Sequence, residues 1–417
     1  MKTLSKTFCP LVTALVLATG CSKDDGGNGT TENRPPEAFD LIAVADGATD
    51  VDVKPTFSWN PATDPDGDEV TYNLYLGTDA AALTEVATGL TAPSFQLEER
   101  LSLLTGHFWK VLAEDGQGGL TESETFVFET RNLNDAQQRV DFAALAFTGA
   151  MVFDGKLWVV GGSNSNGFNN DVWYSEDGAN WSLATTNAAF PERNAHTTLA
   201  YDGKLWVIGG YNNNGSLDDV WSSSDGIVWT EVVNSNFPER HGHTSVVFDD
   251  KMWLIGGYDD THDYDDVWYS DDGYTWSMAA NSAGFESRKN HSSVVFDNKI
   301  WVIGGGHSGV DFLNDVWYSS DGIEWILSNS NTDFSKRGGH STVVFNGKLW
   351  LIGGETTNGV VNDVWSSKDG ATWTEVFSNA AFPPRRGHAS AVFDEKIWVI
   401  GGYNNNAIFY SGAWFMD

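Results

Sequence analysis

The sequence predicts an all-β protein in which a small β-sandwich precedes a β-propeller. Glycine pairs recur about every 48 residues in the C-terminal part of the chain, and each unit between them offers four short apolar segments, the strand content of one propeller blade. Glycine (44 residues) and tryptophan (19) are abundant while charged residues make up 19%. That composition suits short strands and tight turns better than long surface helices. The pairs are Gly161-Gly162, Gly209-Gly210, Gly256-Gly257, Gly304-Gly305, Gly353-Gly354 and Gly401-Gly402.

Charge and cysteine content exclude several classes of function. The 417 residues carry 24 basic and 57 acidic side chains, a formal charge of −33, so a nucleic-acid backbone would be repelled. The only cysteines are Cys9 and Cys21. The chain after Cys21 therefore has no disulfide framework, no zinc–thiolate site and no cysteine nucleophile.

The N-terminus has the pattern of an export signal. Two lysines precede a short apolar run in residues 1–20, and small residues lead directly to Cys21. This resembles the lipobox of bacterial lipoproteins, which implies Cys21 as the lipid-attachment residue; the alternative is an ordinary signal peptide with an incidental cysteine. Residues 21–35 have the composition of a flexible tether. We expect an outer-membrane lipoprotein exposed at the cell surface, with the inner face of that membrane as the alternative.

Residues 36–130 predict the sandwich. Apolar-alternating segments such as 71–76 and 108–113 are separated by turn clusters. Trp59, the strand with Tyr72 and Tyr75, and the strand that begins at Trp109 follow in an order that resembles a fibronectin type III domain, which implies a spacer. The acidic turn at residues 64–68 could bind calcium or could be a solvated hairpin turn.

Residues 131–417 predict the propeller. After each glycine pair comes a polar loop, then Asp-Val-Trp, then a turn of the form Ser-x-Asp-Gly-x-x-Trp, as at residues 175–181. The pattern resembles kelch repeats, and six units imply a six-bladed β-propeller. The turns resemble a shortened Asp-box, in which the aspartate accepts turn N–H groups and the tryptophan packs beneath. The last unit stops after its third strand, so we expect residues near 131–136 to supply the outer strand of that blade.

Arg-x-x-His recurs before five of the six units. One hypothesis is a ring of basic residues around the central channel that captures an anion. The other is a set of inter-blade arginine–aspartate pairs, because Leu145 replaces the first arginine and Gly412 replaces the last aspartate. The predicted pairs are Arg193 with Asp171, Arg240 with Asp219, Arg288 with Asp266, Arg337 with Asp315, and Arg385 with Asp363.

The loops after the glycine pairs vary most and form the candidate ligand face. Their Asn, Asp and Tyr side chains are of the kind that binds hydroxyl-rich sugars or a protein, although polar loops also simply prevent aggregation. A histidine among aspartates in the third loop is weak support for a metal site. The candidates are Ser163, Tyr211, Tyr258, Asp259, His262, His307, Glu355 and Tyr403.

Enzymes of similar architecture provide the alternative function. The tyrosine–cysteine cofactor of galactose oxidase is excluded by the absence of cysteine after Cys21, and the arginine triad of a sialidase is not matched. A kelch-type sialic acid mutarotase needs only positioned acid–base groups, for which His307 or Glu355 could serve. We expect a binding module rather than an enzyme, with no cofactor, as a monomer that recognises a glycan or a cell-envelope protein. A purely structural envelope protein is the third hypothesis.

Overall fold

The computed structural model describes residues 32–132, 137–140, 144–232, 235–308 and 312–417, with only the backbone described at 137–140. Cys21, the predicted signal peptide and the tether through residue 31 lie outside these ranges. All regular elements described are β-strands, and the described residues contain no helix that could span a membrane. The described residues divide into two compact units: residues 32–43, Phe57–Phe95 and Phe108–Phe126 belong to the first, and Val44–Thr56, Gln96–His107 and the described part of Val127–Asp417 belong to the second.

Nine strands in two sheets precede the repeats. Strands β1-β3-β6 form the smaller sheet; β2-β9-β7-β4-β5 form the larger one, with β8 also paired to β7. The strands are β1 Leu41–Ala43, β2 Ala48–Val51, β3 Thr56–Trp59, β4 Thr71–Gly77, β5 Thr84–Leu90, β6 Ser94–Gln96, β7 Gly106–Glu114, β8 Leu120–Glu122 and β9 Phe126–Thr130. The ring of Phe57 lies 4.8 Å from that of Trp109, and Trp59 lies 5.4 Å from Tyr72. These buried aromatic side chains form the core of the first unit.

Six antiparallel sheets of four strands each follow within the described residues, as in a kelch-type propeller. Sheet 1 contains β11 Gly149–Phe153, β12 Lys156–Asn164, β13 Gly167–Ser175 and β14 Trp181–Thr185; sheet 2 contains β15 Thr197–Tyr201, β16 Lys204–Asn212, β17 Gly215–Ser223 and β18 Thr230–Val232; sheet 3 contains β19 Thr244–Phe248, β20 Lys251–Tyr258, β21 Asp263–Ser270 and β22 Ser277–Ala280. Sheet 4 contains β23 Ser292–Phe296, β24 Lys299–Gly305, β25 Leu313–Ser319 and β26 Ile326–Asn329; sheet 5 contains β27 Ser341–Phe345, β28 Lys348–Thr356, β29 Gly359–Ser367 and β30 Thr374–Phe377; sheet 6 contains β10 Gln137–Val140, β31 Ala389–Phe393, β32 Lys396–Ile400 and β33 Ala413–Met416.

The glycine pairs lie at the same point in each sheet. In sheet 2 the pairing of β16 with β17 shifts register between Ile208 and Gly210. Gly210 has a φ of +115°, and a Cβ atom there would lie 2.8 Å from the Cβ atom of His196. The pair therefore combines a backbone conformation that favours glycine with a close approach that a larger residue would block.

The Ser-x-Asp-Gly-x-x-Trp turns act as hairpin staples, as predicted. Asp225 accepts hydrogen bonds from the N–H groups of Ile227 and Val228 at 2.8 and 2.9 Å, and Trp229 Nε1 donates to the Gly226 carbonyl. Gly226 has a φ of +74°, and a Cβ atom on it would lie 2.2 Å from the Trp158 ring of the preceding sheet. Each turn thus fixes its own hairpin and packs against the neighbouring sheet.

The ring closes through a strand from upstream of the repeats, but not at the predicted residues. The outer strand of sheet 6 is β10, in which Gln138 pairs with Trp414 of β33. The prediction of residues 131–136 is wrong for residues 131–132, which belong to no strand, and residues 133–136 lie outside the described ranges. No hairpin turn joins β33 to β10, so the turn that sets the register in the other sheets is missing here.

Candidate functional site

Six backbone hydrogen bonds form a closed circle at the inner ends of the sheets. The residue before each histidine, and Phe147 in sheet 1, donates its N–H to the carbonyl of its counterpart in the preceding sheet. All six residues have φ between +49° and +63°. The donors and acceptors are Phe147 to Gly387, Ala195 to Phe147, Gly242 to Ala195, Asn290 to Gly242, Gly339 to Asn290, and Gly387 to Gly339. We call these six residues the axial ring.

Five buried histidines line a cavity of about 120 Å³ beside the axial ring. They are His196, His243, His291, His340 and His388. In sheets 3 to 6, histidine Nε2 lies within hydrogen-bond distance of a hydroxyl group in the preceding sheet, for example 2.8 Å between His291 and Thr244. Burial, followed by the nearby Arg288 charge, lowers the pKa of His291 to about 3. Burial thus disfavours the charged form of the histidines, and the residues that line the cavity include none of the repeated arginines. Both observations argue against the hypothesis of a basic ring that captures an anion.

The recurring arginines join neighbouring sheets, but with aspartates other than those predicted. The Arg193 N–H donates to the Asn169 carbonyl in sheet 1, while its side chain binds Asp219 in sheet 2 through two hydrogen bonds of 2.6 Å. The predicted partner of Arg193 was Asp171. The observed pairs are Arg193–Asp219, Arg240–Asp266, Arg288–Asp315 and Arg337–Asp363.

Each arginine pairs with the aspartate of the repeat that follows it, one repeat later than predicted. An arginine lies 26 or 27 residues before its true partner, and the predicted partner lies at a similar distance on the other side. The direction of the arginine side chain selects the partner, because it points towards the sheet that follows the arginine in the chain. By the same register, Leu145 stands opposite Asp171 in sheet 1 and Gly412 stands opposite Arg385 in sheet 6. Asp171 and Arg385 are therefore left without the usual ion pair.

The loops after the glycine pairs and the Arg-x-x-His segments meet at one end of the sheets. An isolated β-bridge joins the residue after each glycine pair to the residue that follows each arginine, or Leu145 in sheet 1. We call these twelve residues the entrance belt. Its pairs are Ala146–Ser163, Asn194–Tyr211, His241–Tyr258, Lys289–Gly306, Gly338–Glu355 and Arg386–Tyr403.

One arc of the entrance belt alternates aromatic and basic groups. The His241 ring lies 4.8 Å from Tyr211 and 5.4 Å from Tyr258, and Lys289 Nζ lies 3.5 Å from the centroid of Tyr258. Burial lowers the pKa of His241 and that of Lys289. Asn194 Nδ2 donates a 3.0 Å hydrogen bond to Ser163 at the edge of this arc. Half-buried rings beside polar atoms are suited to binding the apolar and hydroxyl faces of one ligand.

The opposite arc holds an ion pair beside an aromatic ring. Arg386 Nη1 binds Glu355, and the Arg386 guanidinium lies 4.7 Å from the centroid of Tyr403. Tyr403 also lies 5.5 Å from Phe147, a residue of the axial ring. Burial raises the pKa of Tyr403. This arc therefore extends from the outer loops to the mouth of the histidine-lined cavity.

The remaining predicted residues lie outside the entrance belt. Asp259 accepts hydrogen bonds from Tyr264 and from the His262 N–H, both at 2.6 Å. Burial alone would raise the pKa of Asp259, but the hydrogen bonds from Tyr264 and Thr261 lower it. His307 Nε2 lies 3.7 Å from Glu286. Within the described ranges, no group of three His, Cys, Asp or Glu side chains is placed to hold a metal ion.

Sequence reasoning missed half of the entrance belt. His241, Lys289 and Arg386 lie between the arginine and the histidine of Arg-x-x-His, and the sequence analysis treated that motif only as a repeated unit. The position after the arginine varies as strongly as the glycine-pair loops: Ala146, Asn194, His241, Lys289, Gly338 and Arg386. Variation inside an otherwise fixed motif was the signal that could have identified these residues.

Comparisons with known proteins agree with this architecture. The family model described as the KLHDC2/KLHL20/DRC7 Kelch-repeats domain matches residues 149–321 and 285–417. A solved structure titled "Structure of YjhT" is similar with a TM-score of 0.57 at 16% identity, covering 66% of this chain and 96% of that chain. At this identity the likeness shows the fold alone. No curated protein matches the sequence.

Proposed function

The chain belongs to the kelch-repeat family, and from this premise we propose that it is a binding module of the cell envelope. Its six-bladed propeller recognises a glycan or a protein partner through the entrance belt. The fibronectin III-like sandwich of residues 36–130 is a spacer, and the lipid on Cys21 is the membrane anchor.

One observation carries the proposal. At one end of the sheets, the positions that vary between repeats come together around the channel mouth. Four of the five repeated arginines are instead paired with aspartates, and four of the five repeated histidines lie against hydroxyl groups of the scaffold. Three tyrosines, two cations and one carboxylate are exposed there only in part. Such a mixture of rings and fixed polar groups is typical of binding surfaces built on a rigid frame.

The anchoring part of the proposal is supported by the sequence. Cys21 follows a signal-like segment, and residues 21–35 have the composition of a tether. We propose an outer-membrane lipoprotein with the propeller at the cell surface, acting as a monomer. A tether followed by a spacer would hold the entrance belt away from the lipid surface.

Binding is favoured over catalysis by the placement of the two acid–base candidates. Glu355 is engaged by Arg386, and His307 lies beside Glu286. No hydrogen bond or ion pair among the described contacts joins His307 to Glu355. The mutarotase hypothesis predicts turnover that depends on one of these residues, whereas the binding module predicts saturable binding without turnover.

The first experiment is a thermal-shift screen of residues 22–417 against a panel of sugars that includes free sialic acid. A ligand at about 100 times its Kd adds roughly 2.7 kcal/mol of stability, which is several degrees in Tm. We expect one sugar class to raise Tm. If no sugar does, the same chain is used to capture a partner from solubilised cell envelopes.

Matched variants connect either result to the entrance belt. Tyr258→Ala and Tyr403→Ala remove aromatic surface from its two arcs and should abolish the shift or the capture. Tyr274→Ala is the control, because Tyr274 is 47% exposed on a Ser-x-Asp-Gly-x-x-Trp turn at the opposite end of sheet 3. Equal binding by all three variants would refute the assignment of the ligand face.

A further inference from the structure

The arginine of sheet 6 lacks the carboxylate that its four counterparts bind. Arg385 keeps the shared contacts, with Nε donating to the Pro383 carbonyl and Nη1 to the Gly401 carbonyl. Nη2 has no hydrogen-bond partner, although the side chain is 0% exposed. Gly412 occupies the position of the aspartate. Ala413 has the register of Val364 in sheet 5, and Gly412 precedes Ala413 as Asp363 precedes Val364.

The four complete sheets show what occupies this space when an aspartate is present. In sheet 3 the Asp266 carboxylate binds both terminal nitrogens of Arg240 at 2.7 and 3.0 Å, and it also accepts a 2.7 Å bond from Trp268 Nε1. In sheet 6, Trp414 is the counterpart of Trp268 in strand register. Gly412 therefore removes a carboxylate and its methylene group from a position that otherwise receives hydrogen bonds from both guanidinium nitrogens.

In the complete sheets the carboxylate position borders solvent, whereas in sheet 6 both Gly412 and Arg385 are buried. The aspartates of the four ion pairs retain 9 to 16% side-chain exposure, while every paired arginine has 0%. Burial without a counter-charge lowers the pKa of Arg385 to about 10. A buried guanidinium with an open hydrogen-bond donor is costly unless an anion compensates it.

We propose that sheet 6 binds a small monovalent anion at Nη2 of Arg385, at the position that corresponds to the aspartate carboxylate of sheets 2 to 5. Acetate and formate carry the carboxylate group that is missing, and chloride is a monatomic anion with the same net charge. The site is separate from the entrance belt and does not depend on the proposed function. Its ligand substitutes for a side chain that the repeat normally supplies.

The test measures Tm of residues 22–417 while a bulky sulfonate salt is exchanged for sodium acetate, formate or chloride at constant ionic strength. Above the Kd, each tenfold increase in the concentration of the free anion should raise Tm by roughly 2–4 °C. Arg385→Leu should remove this response. Leucine is the residue that the chain itself uses at this position in sheet 1, where Leu145 is buried.

Arg193→Leu is the matched control, because it removes a paired arginine and leaves Arg385 intact. It should lower Tm but keep the response to the anion. An unchanged Tm in wild type, or an equal response in Arg385→Leu, would overturn the proposal. If Arg385→Leu does not fold, bromide is soaked into crystals of the wild-type chain: an anomalous peak beside Nη2 supports the site, and its absence refutes it.

Discussion

The buried histidines of the channel should make the stability of the propeller strongly dependent on pH. Burial lowers the pKa of His196, His291 and His388 to about 3, and it lowers that of His243 and His340 in the same direction. In the unfolded chain a histidine has a pKa of about 6.5. Between these values the unfolded state binds one more proton per histidine, so folding is fully favoured above pH 6.5 and loses stability as pH falls below it.

The size of the effect follows from the number of histidines. One proton corresponds to about 1.4 kcal/mol per pH unit, so five histidines should lower the free energy of unfolding by roughly 7 kcal/mol per unit below pH 6. The aspartates of the turns lose their contribution to stability at lower pH, between their unfolded pKa of about 3.9 and a folded pKa that hydrogen bonds lower to about 2 for Asp177. The steep fall near pH 5 to 6 therefore belongs to the histidines.

The assay is urea unfolding followed by tryptophan fluorescence at several values between pH 7 and pH 5. His291→Thr is the informative variant, because Thr148 occupies the histidine position in sheet 1 and donates a 2.9 Å hydrogen bond to the Val160 carbonyl. The slope of unfolding free energy against pH should fall by about one fifth in this variant. A wild-type slope of less than about 1.4 kcal/mol per unit, or a variant with an unchanged slope, would refute the reasoning.

Two further predictions test the contacts between sheets. The first is a double-mutant cycle of urea-unfolding free energies, in which Arg193→Leu and Asp219→Asn should show a coupling of about 2–3 kcal/mol. The effects of Arg193→Leu and Asp171→Asn should add within about 0.5 kcal/mol. A larger coupling to Asp171 would instead support the pairing expected from the sequence. Gly226→Ala should cost about 3 kcal/mol or more by the same measurement, because left-handed strain adds to a clash with the preceding sheet. Gly203→Ala, with a φ of +67° and no atom within 4 Å, should cost only about 1–2 kcal/mol, and equal losses would contradict the role of packing.

The repeat made much of the fold predictable from the sequence. Glycine pairs, Asp-Val-Trp and the tryptophan turns each recur at fixed offsets, and each encodes a local geometry: a bulge, a third strand and a stapled hairpin. Closure by an upstream strand was also predictable, because the last unit lacks its fourth strand. The position of β10 was not, because its register depends on side chains of a strand that no short turn connects to it.

The arginine–aspartate pairs and the axial ring were harder to predict, because both depend on directions and backbone angles that the residue types do not reveal. Sequence distance does not tell whether Arg193 turns towards Asp171 or Asp219, since both lie within one repeat length; the direction of its side chain decides. The axial ring left a trace in the sequence, because three of its six residues are glycine, but Phe147, Ala195 and Asn290 adopt the same positive φ without that mark. Where a residue other than glycine adopts a positive φ, only the structure shows it.

The most direct test of the central claim is a hydrogen–deuterium exchange footprint of residues 22–417 with the sugar or envelope fraction that binds. The account predicts slower exchange in the segments that carry the entrance belt, around residues 194, 241, 258, 355, 386 and 403. It also predicts unchanged exchange at the tryptophan turns of the opposite end. Protection confined to those turns, or to the N-terminal sheets, would contradict the assignment of binding to the channel mouth.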